Sequence, residues 1–142
     1  MYDLAISFAG ENRSIAEALA IALKREGYNI FYDDFEKADL WGRDLSIELP
    51  FRYNNSAFCI MLLSNYYLDK MWTTLERQVI ISKFLQLNGN DYILPVRLDG
   101  FSGDVPGISK LTGYISIDSK TQIPYLIDLT KTILTKRLRK AP

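Results

Sequence analysis

The sequence predicts a flavodoxin-like α/β domain of the doubly wound type, with a five-stranded parallel sheet and helices on both faces. Short apolar segments alternate with stretches of helical periodicity along the whole chain, and this alternation is typical of a parallel sheet. Residues 56–64 are almost entirely apolar, as expected for a strand covered on both faces. Because crossovers between parallel strands are right-handed, five such strands wind into one domain.

The first predicted strand covers residues 3–8, which are apolar-rich and stop before a glycine. A helix follows, with Ser14 as its expected cap and Glu17 as the capping-box partner. Gly27 is expected to end this helix. The second predicted strand covers residues 28–33.

The middle of the chain contains a loop, a helix and the central strand. Residues 34–42 carry mixed charge and include Trp41, which predicts an irregular loop. Residues 43–53 have the pattern of a helix, although Pro50 would bend or shorten it. The third strand is the apolar segment at residues 56–64.

Helical periodicity returns at residues 75–87, and a fourth strand is expected at 92–97. Pro95 within it indicates an interruption or a position without a donor requirement. A short fifth strand is expected at 113–117, after a loop rich in Gly, Asp and Pro. Pro124 then opens the last helix, which leads into a basic tail at residues 136–142.

Composition limits the functions that the chain can have. With 142 residues, 48% apolar and 24% charged, we expect one domain over residues 1–142, with a core at about 2–135. The net charge is zero, which argues against direct binding of nucleic acid or an anionic membrane. No apolar stretch has the length of a membrane span and no secretory signal is recognisable, so we expect a cytoplasmic protein.

The residue inventory also restricts the chemistry. Cys59 is the one cysteine and lies in an apolar run, so we expect it to fill the core. The absence of histidine excludes Ser-His and Cys-His catalysis and most zinc sites. Any catalysis must use carboxylates, hydroxyls, Lys, Arg or backbone dipoles.

Several segments, in this order and spacing, resemble a bacterial-type Toll/interleukin-1 receptor (TIR) domain. They are residues 2–13 (YDLAISFAGENR), 27–33 (GYNIFYD), 40–45 (LWGRDL), 59–64 (CIMLLS), 67–72 (YLDKMW), 75–77 (LER), 92–97 (YILPVR) and 105–107 (VPG). The resemblance extends over roughly residues 2–135. It implies cleavage of NAD⁺ at the nicotinamide–ribose bond, giving ADP-ribose or a cyclic ADP-ribose isomer, often in bacterial antiphage signalling. NAD⁺ is then the substrate, and no cofactor or metal is implied.

Glu76 is the catalytic candidate. Trp72 lies four residues before it, so the two share a face of the predicted helix that follows the third strand. The resemblance places the essential glutamate at this position. Cleavage of the bond builds positive charge on the ribose, which a nearby carboxylate stabilises. The alternative is that Glu76 is a solvated helix residue and that Trp72 belongs to the core.

The other candidates follow the predicted strands, where ligands bind in open α/β sheets. The resemblance places Phe8 near the nicotinamide ribose, although a core aromatic is equally compatible. Arg13 could contact a phosphate or form a surface ion pair, and Ser64 could hydrogen-bond the ribose. Asp33 and the adjacent Asp34 could suggest magnesium or a phosphoacceptor, but the other residues of a receiver site are missing.

The resemblance identifies residues 35–44 as the BB loop, which contacts a neighbouring subunit and can close over the substrate. Trp41, Gly42 and Arg43 are the candidate assembly residues, because Trp and Arg often anchor interfaces. Trp41 could instead cap the local core. The alternative function is a non-catalytic adaptor that acts through TIR–TIR assembly, and a fused or separate sensor or effector domain is a further possible partner.

Overall fold

The computed structural model describes residues 1–70, 82, 92–105, 108 and 112–138, and the structural statements below concern these residues. Its sheet has five strands, all paired in parallel, in the order β2-β1-β3-β4-β5. The strands are β1 (Tyr2–Ser7), β2 (Ile30–Phe31), β3 (Ser56–Leu63), β4 (Ile93–Leu98) and β5 (Ile115–Ile117). This order confirms the predicted flavodoxin-like architecture.

Five described α-helices accompany the sheet: α1 (Arg13–Arg25), α2 (Lys37–Leu40), α3 (Leu45–Asn54), α4 (Asn65–Lys70) and α5 (Ile123–Leu138). Short 3₁₀ turns at Gly10–Asn12, Asp33–Glu36 and Lys120–Gln122 precede α1, α2 and α5. No described helix combines the length and the apolar character needed to cross a membrane.

The helices cover both faces of the sheet, as predicted. On one face, α1 and α5 pack against the alternate residues Leu4, Ile6, Ile60 and Leu62. On the other face, Tyr53 of α3 and Tyr67 of α4 pack with the opposite set of strand residues, which includes Ala5, Cys59, Met61 and Leu63. Cys59 is fully buried, in agreement with the prediction that it fills the core.

Several boundaries differ from the predictions, and the predicted irregular loop at residues 34–42 is wrong, because most of it forms the Asp33–Glu36 turn and α2. The Ser14 cap is wrong, because α1 already begins at Arg13 after the 3₁₀ turn and has Asn12 at its N-cap position. The second strand is shorter than residues 28–33: it pairs only through Ile30 and Phe31, and the chain enters a 3₁₀ turn at Asp33. Gly27 follows the helix end with φ +94°, as its predicted role requires.

The prolines fit into regular structure. Pro50 lies inside α3, and β4 continues through Pro95, which pairs in register with Met61. Pro124 is the second residue of α5, where its missing N–H removes no helical hydrogen bond. This last helix extends to Leu138 and so includes part of the predicted basic tail. The predicted helix at residues 75–87 lies outside the described residues, apart from residue 82.

Candidate functional site

The crevice between β1 and β3 is the first place where the fold would bind a ligand. In the order β2-β1-β3-β4-β5, the chain winds outward in opposite directions from these two neighbours. The loops after their carboxyl ends therefore diverge and leave a crevice. Residues 8–13 follow β1, and Ser64 follows β3. Three predicted site residues, Phe8, Arg13 and Ser64, therefore lie at this crevice, and a fourth, Asp33, lies at the adjacent end of β2.

A buried hydrogen-bond network forms the floor of this crevice. The Ser64 hydroxyl donates to Oδ1 of Asn12 at 2.8 Å and accepts from the Tyr67 N–H at 3.2 Å. The Tyr67 hydroxyl shares a 2.9 Å hydrogen bond with Oγ of Ser7. All four side chains are buried. Ser64 thus joins the β1–α1 loop to the start of α4, and a hydrogen bond from it to ribose stays a prediction.

Phe8 lies at the boundary between the core and the crevice. Its half-buried ring packs against the core cluster and stacks with Tyr32, with centroids 5.8 Å apart. The guanidinium of Arg13 lies 4.9 Å from the centroid of the Phe8 ring, within cation–π distance. Phe8 therefore supports the position of Arg13 as well as contributing to the core.

Arg13 forms an ion pair, which was one of its two predicted roles beside a contact to phosphate. Its two terminal nitrogens donate to the two carboxylate oxygens of Asp33 at 3.0 and 2.9 Å, and one lies 3.0 Å from Asp34. This bond to Asp33 raises the pKa of Arg13 above its usual value. Burial opposes ionisation of Asp34, but the charges of Arg13 and Lys37 outweigh it and lower the pKa of that carboxyl.

The same ion pairs also occupy the carboxylates of Asp33 and Asp34. Both carboxylates face a guanidinium, and Asp34 also contacts the Lys37 ammonium at 3.4 Å. Among the described residues, no group of three or more His, Cys, Asp or Glu side chains is arranged to hold a metal. In the described arrangement, Asp33 and Asp34 thus hold the Arg13 side chain toward the end of β2.

The candidate assembly residues lie on the surface loop before α3. The Trp41 side chain is 89% exposed, so the alternative that it caps the core is wrong. Gly42 has φ +80°, which favours glycine at this turn. The guanidinium of Arg43 pairs with Glu48 of α3 at 3.0 Å.

Trp72 and Glu76 lie outside the described residues, so their roles stay predictions. Lys70 is the last described residue of α4.

Two polar residues of the crevice were missed in the sequence. Asn12 and Tyr67 contribute buried polar groups there, and both lie in segments that carry the family resemblance, but neither was predicted to have a role in the site. The position of the polar Asn12 in the loop after a predicted strand was a usable signal, because binding residues often lie on such loops. Tyr67 gave no comparable signal, since its partner Ser7 is 60 residues away.

A separate cavity of about 370 Å³ lies between α5 and the strands β4 and β5. Its lining is mostly apolar and includes Leu94, Val96, Ile115 and Leu126. It is not at the β1–β3 crevice and contains none of the predicted site residues. The size of this cavity therefore does not make it the candidate site.

Comparison with known proteins gives a family match over most of the chain. Residues 4–130 match the family model described as TIR domain. The chain is 42% identical over 121 residues to the 3′ cyclic ADP-D-ribose synthase AaTIR of Aquimarina amphilecti, covering 84% of this chain and 36% of that protein. It is also 31% identical over 96 residues to the NAD(+) hydrolase PdTIR of Paracoccus denitrificans (strain Pd 1222). This second match covers 67% of this chain and 31% of that protein. The chain thus spans about a third of the length of these relatives.

A solved structure matches the fold along nearly the whole chain. The TIR domain of the Toll-related receptor TRR-2 from Hydra magnipapillata superposes with a TM-score of 0.63, covering 94% of this chain and 98% of that one. Its identity of 21% makes this a likeness of fold alone.

Proposed function

This chain belongs to the TIR domain family, and from that premise we propose that it cleaves NAD⁺ at the nicotinamide–ribose bond. The observation that carries the proposal is the 42% identity, over 84% of the chain, to a protein named as a cyclic ADP-ribose synthase. The products are nicotinamide and either ADP-ribose or a cyclic ADP-ribose isomer. The names of the two relatives include both a synthase and a hydrolase, so either fate of the ribosyl group is compatible with the family.

Glu76 is the proposed catalytic residue. When the N-glycosidic bond breaks, both electrons go to the cationic pyridinium nitrogen, and nicotinamide leaves as a neutral base. The ribose carbon becomes cationic, and an ionised carboxylate beside it stabilises that charge. No general acid is required, which suits a chain that has no histidine.

The crevice supplies the proposed contacts to the rest of the substrate. We assign Phe8 and Trp72 to the aromatic walls and Ser64 to the ribose hydroxyls. Arg13, held by Asp33, supplies positive charge near a phosphate. Because Asp33 and Asp34 offset that charge, Arg13 is expected to orient the pyrophosphate more than to attract it.

The decisive experiment replaces Glu76 by Gln, which keeps the size and removes the charge. Nicotinamide release from NAD⁺ should fall by about 10²-fold or more, the usual cost of losing an electrostatic contact to the transition state. Glu17→Gln is the matched control, because Glu17 is an exposed glutamate on α1. Full turnover by Glu76→Gln would contradict the proposal.

A second candidate function is a non-catalytic adaptor that acts by TIR–TIR assembly. The observation in its favour is a set of exposed apolar side chains on the BB loop and α3: Trp41, Leu45, Ile47 and Phe51. Exposed apolar patches of this kind often mark interaction sites. Absence of nicotinamide release at every protein concentration, together with self-association, would favour the adaptor.

We also propose the setting in which either function operates. Self-association through residues 35–44 completes the site, with Trp41, Gly42 and Arg43 at the contact. A fused or separate sensor domain would control assembly, as in antiphage signalling. We place the protein in the cytoplasm, where the buried thiol of Cys59 would stay reduced and NAD⁺ is present.

A further inference from the structure

Both ends of the BB loop are tied to the same helix. At one end, Glu36 contacts Arg52 of α3 at 3.2 Å. At the other end, Arg43 contacts Glu48 of α3 at 3.0 Å. The loop tip between these ends carries the exposed Trp41. The ion pairs therefore fix the two ends and leave the tip in solvent.

Arg52 connects these contacts to one another. Its guanidinium also lies 3.8 Å from Glu48 and donates to the Tyr2 hydroxyl, which in turn donates to Glu36 at 3.0 Å. The Arg52 side chain is only 12% exposed, and those of Glu36 and Glu48 are 18% exposed. Partly buried charges are screened little by salt, so this cluster is more than a pair of surface ions.

The electrostatics agree with a permanently charged centre. Burial alone would lower the pKa of Arg52, but the hydrogen bond to Tyr2 and the charge of Glu36 raise the pKa above its usual value. Arg52 thus remains a cation with a carboxylate on either side, one from the loop and one from its own helix.

We propose that Arg52 is a positioning residue that, through Glu36 and Glu48, holds the BB loop in the conformation that presents Trp41 to a second copy of the chain. This inference rests on the proposed function, in which the site is completed by assembly. A loop that is already ordered loses less conformational entropy when the second copy binds. Arg52 then raises activity through assembly and not by contact with NAD⁺.

The test uses Glu36→Gln and Arg52→Met, with Arg52→Lys as the conservative variant. Glu36→Gln releases the loop end while Arg52 keeps its contact with Glu48, so the fold should persist. Lys131→Met is the matched control, because Lys131 also pairs with two acids, Glu26 and Asp128, but lies on α5. Thermal unfolding of each variant confirms that the chain is folded.

Two readouts separate positioning from a general structural role. The first is the rate of trypsin cleavage after Lys37, a residue between the two tied ends of the loop. This rate should rise about 5–10-fold in both Glu36→Gln and Arg52→Met. The second is the protein concentration that gives half-maximal nicotinamide release; it should rise about 10-fold, while the maximal rate stays the same. Arg52→Lys should recover part of both effects, since an ammonium can contact one carboxylate but lacks the planar fork.

Each other outcome overturns the inference. Unchanged trypsin cleavage would mean that the cluster does not hold the loop. Faster cleavage without a change in the concentration dependence would mean that the loop conformation is irrelevant to assembly. If the unsubstituted chain releases no nicotinamide, the proposed function fails, and sedimentation velocity on the same variants still decides whether Arg52 controls self-association.

Discussion

The guanidinium of Arg13 contributes to the fold, and it is also the proposed phosphate contact of the site. It is the first residue of α1, yet its charge is directed at the two acids that follow β2. The pair therefore links the segments that follow β1 and β2, beside the crevice between β1 and β3. The side chains of Arg13 and Asp33 are 38% and 47% exposed, so solvent weakens their attraction.

We expect Arg13→Gln and Asp33→Asn each to lower the free energy of unfolding by about 0.2–1 kcal/mol, the range for exposed pairs. The double variant should cost less than the sum, because each single change already removes the shared contact. Urea unfolding of the four proteins measures this coupling. Strict additivity would show that the contact contributes nothing, and an unchanged KM for NAD⁺ in Arg13→Gln would remove Arg13 from the substrate site.

At this scale the sequence predicted candidate residues but not their contacts. It left Arg13 open between a phosphate contact and an ion pair; the ion pair is observed, and the phosphate contact stays a prediction. It could not assign Trp41 to core or surface, because a tryptophan in a loop is compatible with both. It missed Asn12, whose partner Ser64 is 52 residues away, since long-range hydrogen bonds leave no local pattern.

Among the elements, α3 depends on its first residues more than on its interior. Pro50 removes a backbone donor within the helix, and the apolar residues Ile47 and Phe51 remain exposed. Asp44 compensates at the N-terminus, where its carboxylate accepts hydrogen bonds from both the N–H and the hydroxyl of Ser46. These two bonds lower the pKa of the Asp44 carboxyl below its usual value.

The direction of this pKa shift predicts an acid dependence of stability. The contribution of Asp44 is fully present above the pKa of the unfolded chain and is lost as the pH falls through the lower pKa of the folded chain. Asp44→Asn keeps a capping side chain without the charge, so its urea midpoint should fall less than that of the unsubstituted chain between pH 7 and about pH 3. Asp39→Asn, which changes an exposed acid of α2, is the control. Equal acid sensitivity in the unsubstituted chain and Asp44→Asn would contradict the assignment.

Element boundaries followed the sequence wherever a backbone signal was strong. Gly27 ends α1 because its positive φ suits glycine. The observed β3 begins at the predicted residue and ends one residue before the predicted end. The second strand was overestimated because apolar residues such as Tyr32 are buried there without strand pairing. The start of α1 was misplaced because a 3₁₀ turn, which Gly10 opens, has no distinct sequence pattern.

At the scale of the whole molecule, the fold was predictable and the site was only partly so. Alternating strands and helices, with one segment apolar on both sides, leave few topologies open under the handedness rule. The location of the candidate crevice followed from that topology, because strand ends and switch points are shared by all such sheets. The topology does not predict whether a second copy of the chain completes the site, because a single sequence does not show which surface its partner would contact.

That surface gives the last prediction. Trp41, with its side chain 89% exposed, has almost no support from its own chain, and aromatic anchors of this kind dominate interface energies. Trp41→Ala should weaken self-association about 10–30-fold, measured by sedimentation velocity. Nicotinamide release should fall in dilute protein and recover as the concentration rises, because the chemistry at Glu76 is unaffected.

Tyr125→Ala removes another exposed aromatic, on α5, and should change neither quantity. Equal loss of activity at all concentrations in Trp41→Ala would place the tryptophan against the substrate, and unchanged self-association would remove residues 35–44 from the contact.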